Sequence, residues 1–474
     1  MSNQLNGNTK VSYGMGQVAW AAKDTCFQFF LFFYYTQMLG LSPSLAGLAA
    51  LLALVADGVS DPVIGQISDH WRSKRWGRRH PFMIASVIPF CLSLVAIFNP
   101  PAELTESGLF LWYLGWAISV RTFLTLFTVP HMALGAELSE DYSERTSIAV
   151  YRNIIAYLGG LSIQVTAWFV LIPTAIAAGH MVDGYRNVGY VGALLAFVGM
   201  SWSIIGTKSH IPRLVAMPRN HEAQPWYFAF SNLFGLLRSQ SARAVLLGSL
   251  VMATSIGISS TVLLHINTYF YGFSSEQIGV FMLCIMLSLV PASWMAMKGT
   301  QWFGKRKAVI YLLIGAACIG PMPVLLHLYG LTPENGSGAL LAVVCAFLVV
   351  HQAFYIAQIN VVAAIIPDVV DEIELDTGMR QEGILNSAIM LTQKVTFGLG
   401  AFFAGIAIEL SGFKGVTSQA EVSADMLARL AWMYGPGLSV LIILAAYSYS
   451  RYRVDHKRYD EIRGQLDVAR QVIT

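Results

Sequence analysis

The sequence predicts an all-α, polytopic membrane protein of twelve transmembrane helices in two pseudo-symmetric six-helix bundles. Three observations carry that prediction. Of the 474 residues, 55% are hydrophobic and only 12% charged, against roughly 25% charged in an ordinary soluble domain. Two or three soluble domains of this total length would need far more polar surface. Twelve apolar segments follow one another, most of them close to the roughly 20 residues that a spanning helix requires. The longest break between them falls mid-chain and leaves six on either side.

Taken in order, the segments run about 13–39, 44–69, 81–98, 108–130, 147–174, 188–206, 243–271, 275–297, 307–328, 337–366, 382–410 and 426–448. The first dozen residues are polar, and the run behind them is too long for the apolar core of a secretory signal. Basic residues set the orientation, because loops rich in Lys and Arg stay in the cytoplasm. Arg72, Lys74, Arg75, Arg78 and Arg79 lie between segments 2 and 3, and Lys298, Lys305, Arg306 and Lys307 around segments 8 and 9. The tail carries Arg451, Arg453, Lys457, Arg458, Arg463 and Arg470, whereas the opposite loops hold only Arg186 and Lys414. Both termini are therefore expected on the cytoplasmic side of a cell inner membrane. This divides the chain into a bundle at 1–206, a connecting loop at 207–242 with Pro212, Pro218 and Pro225, a second bundle at 243–448, and a tail at 449–474. Trp-Gly-Arg-Arg at 76–79 is echoed by Phe-Gly-Lys-Arg at 303–306, each after the second helix of its half. Matching positions in two halves mark a duplicated transporter fold.

Composition also excludes. A net charge of +3 is too small for a nucleic-acid partner. Cys26, Cys91, Cys284, Cys318 and Cys345 all sit in apolar runs without a C-x-x-C pair, so buried small hydrophobes are favoured over metal or redox roles. There is no G-x-x-x-x-G-K-S/T, so ATP does not drive the protein directly. No nucleophile or metal constellation gathers at one depth, so an enzyme is not expected, nor any cofactor besides a coupling ion.

Charges at membrane depth each need a reason, because one costs on the order of 2.5–3.5 kcal/mol even on the lenient insertion scale. Segment 1 carries Lys23 and Asp24, and segment 2 carries Asp57 and Asp61 with Ser60 between them. Four residues apart on a helix, the two carboxylates share one face. They repel unless a cation lies between them or one is protonated; a sodium ion and a shared proton both suit them, and pairing with arginines is the competing structural reading. Segment 4 places Arg121, Thr125 and Thr128 on one face, and segments 5 and 11 carry Arg152 and Lys394. Lys23, Arg121, Arg152 and Lys394 outnumber Asp24, Asp57 and Asp61 by one, an excess that an anionic solute would relieve. A neutral solute with internal Arg–Asp pairs is the alternative. Softer polar faces are Thr261, His265 and Thr268 in segment 7, and His351, Tyr355 and Gln358 in segment 10; either set could line a cavity and hydrogen-bond solute hydroxyls, Tyr355 being the candidate contact, or could equally make helix-to-helix contacts. His131 reads as a packed histidine. The aromatic clusters Phe32 to Tyr35, Trp112 to Trp116 and Tyr269 to Tyr271 read as an interfacial belt, with Trp116 a candidate for stacking on a sugar ring. The acidic stretch Asp368, Asp371, Glu372, Glu374, Asp376 reads as a solvated loop after segment 10 that meets the basic loops, and Glu137, Glu140, Asp141 and Glu144 as a similar set after segment 4.

The run D-G-V-S-D-P-V-I-G (57–65), followed by R-W-G-R-R-H-P-F (75–82), resembles the glycoside–pentoside–hexuronide:cation symporters, the melibiose-permease-like branch of the major facilitator superfamily. Y-G-M-G (13–16), Lys23-Asp24, Y-R-N (151–153), P-D-V-V-D (367–371) and Lys394 extend the resemblance along essentially all twelve segments. It implies the major facilitator fold and cation-coupled uptake of a small solute by alternating access. Asp57, Ser60, Asp61 and Thr125 would hold the cation, Asp24 and Arg152 would bind glycoside hydroxyls, and Lys394 would link the two sites. The resemblance fails where such members carry an Asp with Pro and Trp two and four residues on. This chain has Thr128, Pro130 and Met132 there. One carboxylate fewer, with Arg121 added on the same helix, has the sign expected for a hexuronide or another anionic solute. Related carriers of lysophospholipids share the fold and form the alternative. The expected partners are a glycoside or uronide, a monovalent cation (Na⁺ or H⁺) and the surrounding lipid, with no nucleic acid; a monomer suffices.

Overall fold

The computed structural model describes residues 5–71, 73, 75–139, 141–211, 239–377, 382–416 and 421–473, with only the backbone placed for a few of these, among them 382–395 and 467–473. All twelve expected segments are helices. We label them α1 (Gly7–Met15 and Gln17–Thr25, continued by wider π turns at Cys26–Leu31 and Tyr34–Met38), α2 (Pro43–His70), α3 (His80–Ile97), α4 (Glu106–Glu137) and α5 (Tyr142–Thr166, running on to Ala177). The sixth is α6 (Met181–Thr207), followed by α7 (Gln240–His265, with a π turn at Ile266–Phe270). A run from Ser275 to Ile319 is divided by Gly304 into α8 and α9, and α9 continues at Met322–Leu328. Then come α10 (Gly338–Thr377), α11 (Glu382–Leu410), α12 (Ala424–Trp432, on to Ser450) and, in the tail, α13 (His456–Ile473). Nine helices among the described residues are long and apolar enough to cross a membrane. That number falls short of twelve because α1, with Lys23, Asp24, Gln28 and Gln37 in its span, is less apolar than the rest, α8 and α9 merge into one run, and Thr396–Leu410 of α11 is shorter than a full span.

The chain forms two units, Met1–Gln224 with Lys414–Ser418, and Pro225–Phe413 with Gln419–Thr474. In the first, α4 packs on α2 and α3, α6 on α1 and α3, and α5 on α1. In the second, α10 packs on the α8–α9 run, α12 on that run and on α7, and α11 on α7. The same pairings recur six helices later, which is a duplicated architecture. The α7–α11 pair packs closely: a Cβ on Gly400 would come within 2.6 Å of the Gly257 Cα, so the absence of side chains lets the two backbones touch.

The short sequence echo is also a structural one. Gly77 has φ 67° and Gly304 φ 74°, each in the left-handed half of the map that favours glycine. In both units the basic residues behind that glycine pair with an acid near the end of the fourth helix. Arg78 and Arg79 meet Glu137 at 2.8 and 2.9 Å, and Lys305 meets Asp368 at 2.7 Å.

Several expectations are corrected. The acidic stretch after segment 10 is not a solvated loop: α10 continues to Thr377 and buries Asp368 and Asp371. Their partners explain why charged residues tolerate burial there. The Tyr452 hydroxyl donates to Asp368 at 3.0 Å, and Arg463 of α13 meets Asp371 at 3.2 Å. Outside the spans, this setting beside Asp368, with burial first, holds the Tyr452 phenol well above its ordinary value. The aromatic clusters 32–35 and 269–271 are not a headgroup belt either, since all their members are buried. The Tyr34 and Tyr35 hydroxyls donate to the carbonyls of Phe98 and Ile97 at 2.9 and 2.6 Å, closing the last, unpaired turn of α3. Cys26 and Cys345 are buried as expected, Cys91 and Cys284 are half-buried, and Cys318 is exposed. Most of the 207–242 connector, with Glu140 and the side chain of Asp376, lies outside the described residues.

Candidate functional site

A polar cluster lies between α2 and α4, which pack side by side in the first unit. On α2, Asp57 and Asp61 occupy one face, while Val55, Val59 and Val63 line the other and are exposed. The 3.6-residue repeat separates the two sets. Thr125 of α4 is buried, and its Oγ1 lies 2.7 Å from Asp61 Oδ1 and 3.2 Å from Asp57 Oδ1. One hydroxyl thus touches both carboxylates, the arrangement that the family resemblance implies. Ser60 behaves differently: its hydroxyl donates to the backbone carbonyl of Asp57 at 3.1 Å, so the proton it carries is used inside α2.

Two further features of this cluster were not anticipated. Pro62 lies inside α2 and has no amide proton, so the Gly58 carbonyl loses its usual intrahelical donor. That places an extra acceptor in the turn between the two aspartates. The signal was present in D-G-V-S-D-P itself. The second feature is Phe27, whose ring lies 5.4 Å from the Arg121 guanidinium carbon, a cation–π distance. Arg121 itself is buried, with Nη1 3.7 Å from Asp57 Oδ2. Asp57, Asp24 and Asp61 all lie within electrostatic range of it, as does the Tyr113 hydroxyl.

The pair expected to hold a glycoside is not closed. Asp24, with a side chain 42% exposed, meets Lys23 at 3.5 Å, and Lys23 also lies 5.9 Å from the Trp20 ring. Arg152 instead donates to the Met132 sulfur at 2.8 Å and to Asn153 Oδ1 at 3.3 and 3.4 Å. Neither the Asp24 carboxylate nor the Arg152 guanidinium is spent on the other; each is held by neighbours on its own side. Thr128 and Trp116 are half-buried, and the Trp116 ring stands edge-on to Trp112 at 5.7 Å. His131 is packed as expected. It stacks on Tyr13 at 4.3 Å, and its Nε2 donates to the Tyr13 carbonyl at 2.8 Å.

In the second unit, Tyr355 packs against the buried apolar cluster that includes Ala357, Val361 and Ile442. Thr261 donates to the Gly257 carbonyl at 2.7 Å within its own helix, and His265 is fully buried beside Phe413. These three sit inside the unit rather than on an open face. The Lys394 side chain lies outside the described residues.

A family model described as MFS/sugar transport protein matches residues 12–456. An uncharacterized symporter of Synechocystis is 25% identical, with 99% of this chain and 98% of that protein covered. The isoprimeverose transporter of Lactiplantibacillus pentosus is 23% identical, with 93% and 89% covered. Among solved structures, an inward-facing bacterial homologue of the iron transporter ferroportin superposes with a TM-score of 0.66 at 14% identity, over 95% of this chain and 99% of that one. At that identity the likeness speaks for the fold.

Proposed function

The chain belongs to the MFS/sugar transport protein family, and on that premise we propose how it works: a cation held between α2 and α4 of the first unit drives the movement of a glycoside or hexuronide by alternating access. It is a multi-pass membrane carrier and not an enzyme. Relatives named as a symporter and as an isoprimeverose transporter favour a sugar-type solute and a coupling cation over the lysophospholipid alternative.

The observation that supports the ion site is Thr125 touching both Asp57 and Asp61. Two carboxylates and a hydroxyl converging from two helices offer hard oxygen ligands suited to Na⁺ or a shared proton. Gly58, freed by Pro62, adds a carbonyl of the same kind. Asp24, Arg152, Thr128 and Trp116 are the candidate solute contacts in this unit, with the planar Arg152 fork, now on Met132, Asn153 and Tyr13, turning to sugar hydroxyls when the solute binds. The carrier resides in the cell inner membrane with both termini cytoplasmic, and acts as a monomer. Entry of each cation would draw about 2.3 kcal/mol per 100 mV of membrane potential.

The test is ligand-induced thermal stabilisation of the purified carrier, because a ligand that binds the folded state raises its melting point. Neutral glycosides, uronides, sulfosugars and lysolipids would each be run with and without Na⁺ at two pH values. A sugar whose effect grows with the cation supports the proposal. Stabilisation by lysolipids alone would overturn it.

A further inference from the structure

The Arg121 guanidinium is poorly held by the protein around it. Its side chain is 10% exposed, and Nη1 is 3.7 Å from Asp57 Oδ2, an ion pair too long for a hydrogen bond. Its Nε is buried with no hydrogen-bond partner, and Phe27 offers it only a ring. A guanidinium carries five N–H donors in a fixed fork, and a buried charge needs both an opposite charge and filled hydrogen bonds. The shortfall lies on the same helix face as Thr125 and Thr128, beside the proposed ion site.

Asp57 is also a proposed ligand of the coupling ion. A monovalent cation seated between Asp57 and Asp61 cancels one of their two charges and competes with Arg121 for the Asp57 oxygens, so the already long pair weakens and the buried guanidinium keeps still fewer of its hydrogen bonds. We infer that Arg121 changes partners with the ion: it pairs with Asp57 in the ion-free carrier, and with a carboxylate or sulfonate of the solute once the cation is bound. The solute is therefore an acidic sugar, and the exchange makes anion binding depend on cation binding. This rests on the ion site proposed above and names its substrate class.

The two halves of the exchange are read separately. Na⁺ affinity is measured in the absence of sugar, by titrating thermal stabilisation of wild type, Arg121→Gln and Arg121→Lys. Binding of methyl glucuronide and of methyl glucoside is then measured with and without Na⁺, adding Asp57→Asn. Removing the competing guanidinium in Arg121→Gln should tighten Na⁺ binding about tenfold and abolish the preference for glucuronide over glucoside. Arg121→Lys keeps the charge, so its Na⁺ affinity should stay near wild type while the glucuronide preference weakens. Asp57→Asn releases Arg121 and should make glucuronide binding independent of Na⁺. Unchanged Na⁺ affinity in Arg121→Gln, or an unchanged glucuronide preference, overturns the inference. If no sugar binds wild type but the Na⁺ responses hold, the sugar reading falls and the competition at Asp57 stands. A carrier that binds neither Na⁺ nor either sugar removes both.

Discussion

Replacing Thr125 with Val removes one hydroxyl from the point where α2 and α4 meet and keeps the side-chain shape. That hydroxyl lies 2.7 Å from Asp61 and 3.2 Å from Asp57, yet it has a single proton to give, which the shorter contact claims. Losing a hydrogen bond to a charged group costs about 1.5–3 kcal/mol, and the ion-free carrier should melt lower for that reason. The ion-bound carrier loses an oxygen ligand instead, so part of the cost cancels between the two states. What remains for ion binding is about 1.4 kcal/mol, or roughly tenfold in affinity. The assay is thermal stabilisation titrated with the coupling ion, beside ion-driven solute accumulation in vesicles. Thr125→Ser should restore both. If Val and Thr carriers melt differently but bind the ion equally well, Thr125 only braces the carboxylates, and its place in the ion site is wrong.

Other substitutions separate coupling, binding and stability. Asp57→Asn and Asp61→Asn should each abolish accumulation against a gradient while leaving counterflow exchange measurable; full accumulation in both would remove them from the ion site. Arg152→Lys should weaken solute affinity by about tenfold, because an ammonium cannot replace a planar fork, and equal affinity in a binding titration would make Arg152 structural. Glu137→Gln strips the shared anion from Arg78 and Arg79, and losing charged hydrogen bonds at this part-buried site should cost about 1.5–3 kcal/mol; an unchanged melting point would show that the pairs do not stabilise the unit. Gly304→Ala meets no neighbouring atom, but φ 74° with ψ 161° lies in a region kept almost wholly for glycine. Backbone strain alone should cost about 1–3 kcal/mol, measured by denaturation.

Helix number, order and approximate bounds were legible because membrane depth imposes long apolar runs, and nothing in water competes with that pattern. The shared face of Asp57 and Asp61 was legible for a similar reason, since i, i+4 spacing fixes it; that Thr125 joins them was implied by the family resemblance and not by spacing. Residues whose partners come from distant segments were not. Nothing in the spacing of α10 tells that Arg463, some ninety positions later, makes burial of Asp371 tolerable, so an acidic run looked like a loop. The aromatic clusters misled because Tyr and Trp suit both a headgroup layer and a packed interior. What decides is whether a carbonyl lies within reach, and the carbonyls of Ile97 and Phe98 belong to another helix. Phe27 beneath Arg121 had no signal beyond its place one turn after Lys23.

The two tyrosines that close the end of α3 have a mechanical consequence. Adjacent side chains on an ordinary helix point about 100° apart, yet Tyr34 and Tyr35 reach neighbouring carbonyls of one helix end, at the start of a π turn. Two bolts set side by side resist rotation as well as separation, whereas a single one is a pivot. α1 and α3 are thereby joined as one lever at this end, and any displacement of α1 there must carry α3 with it.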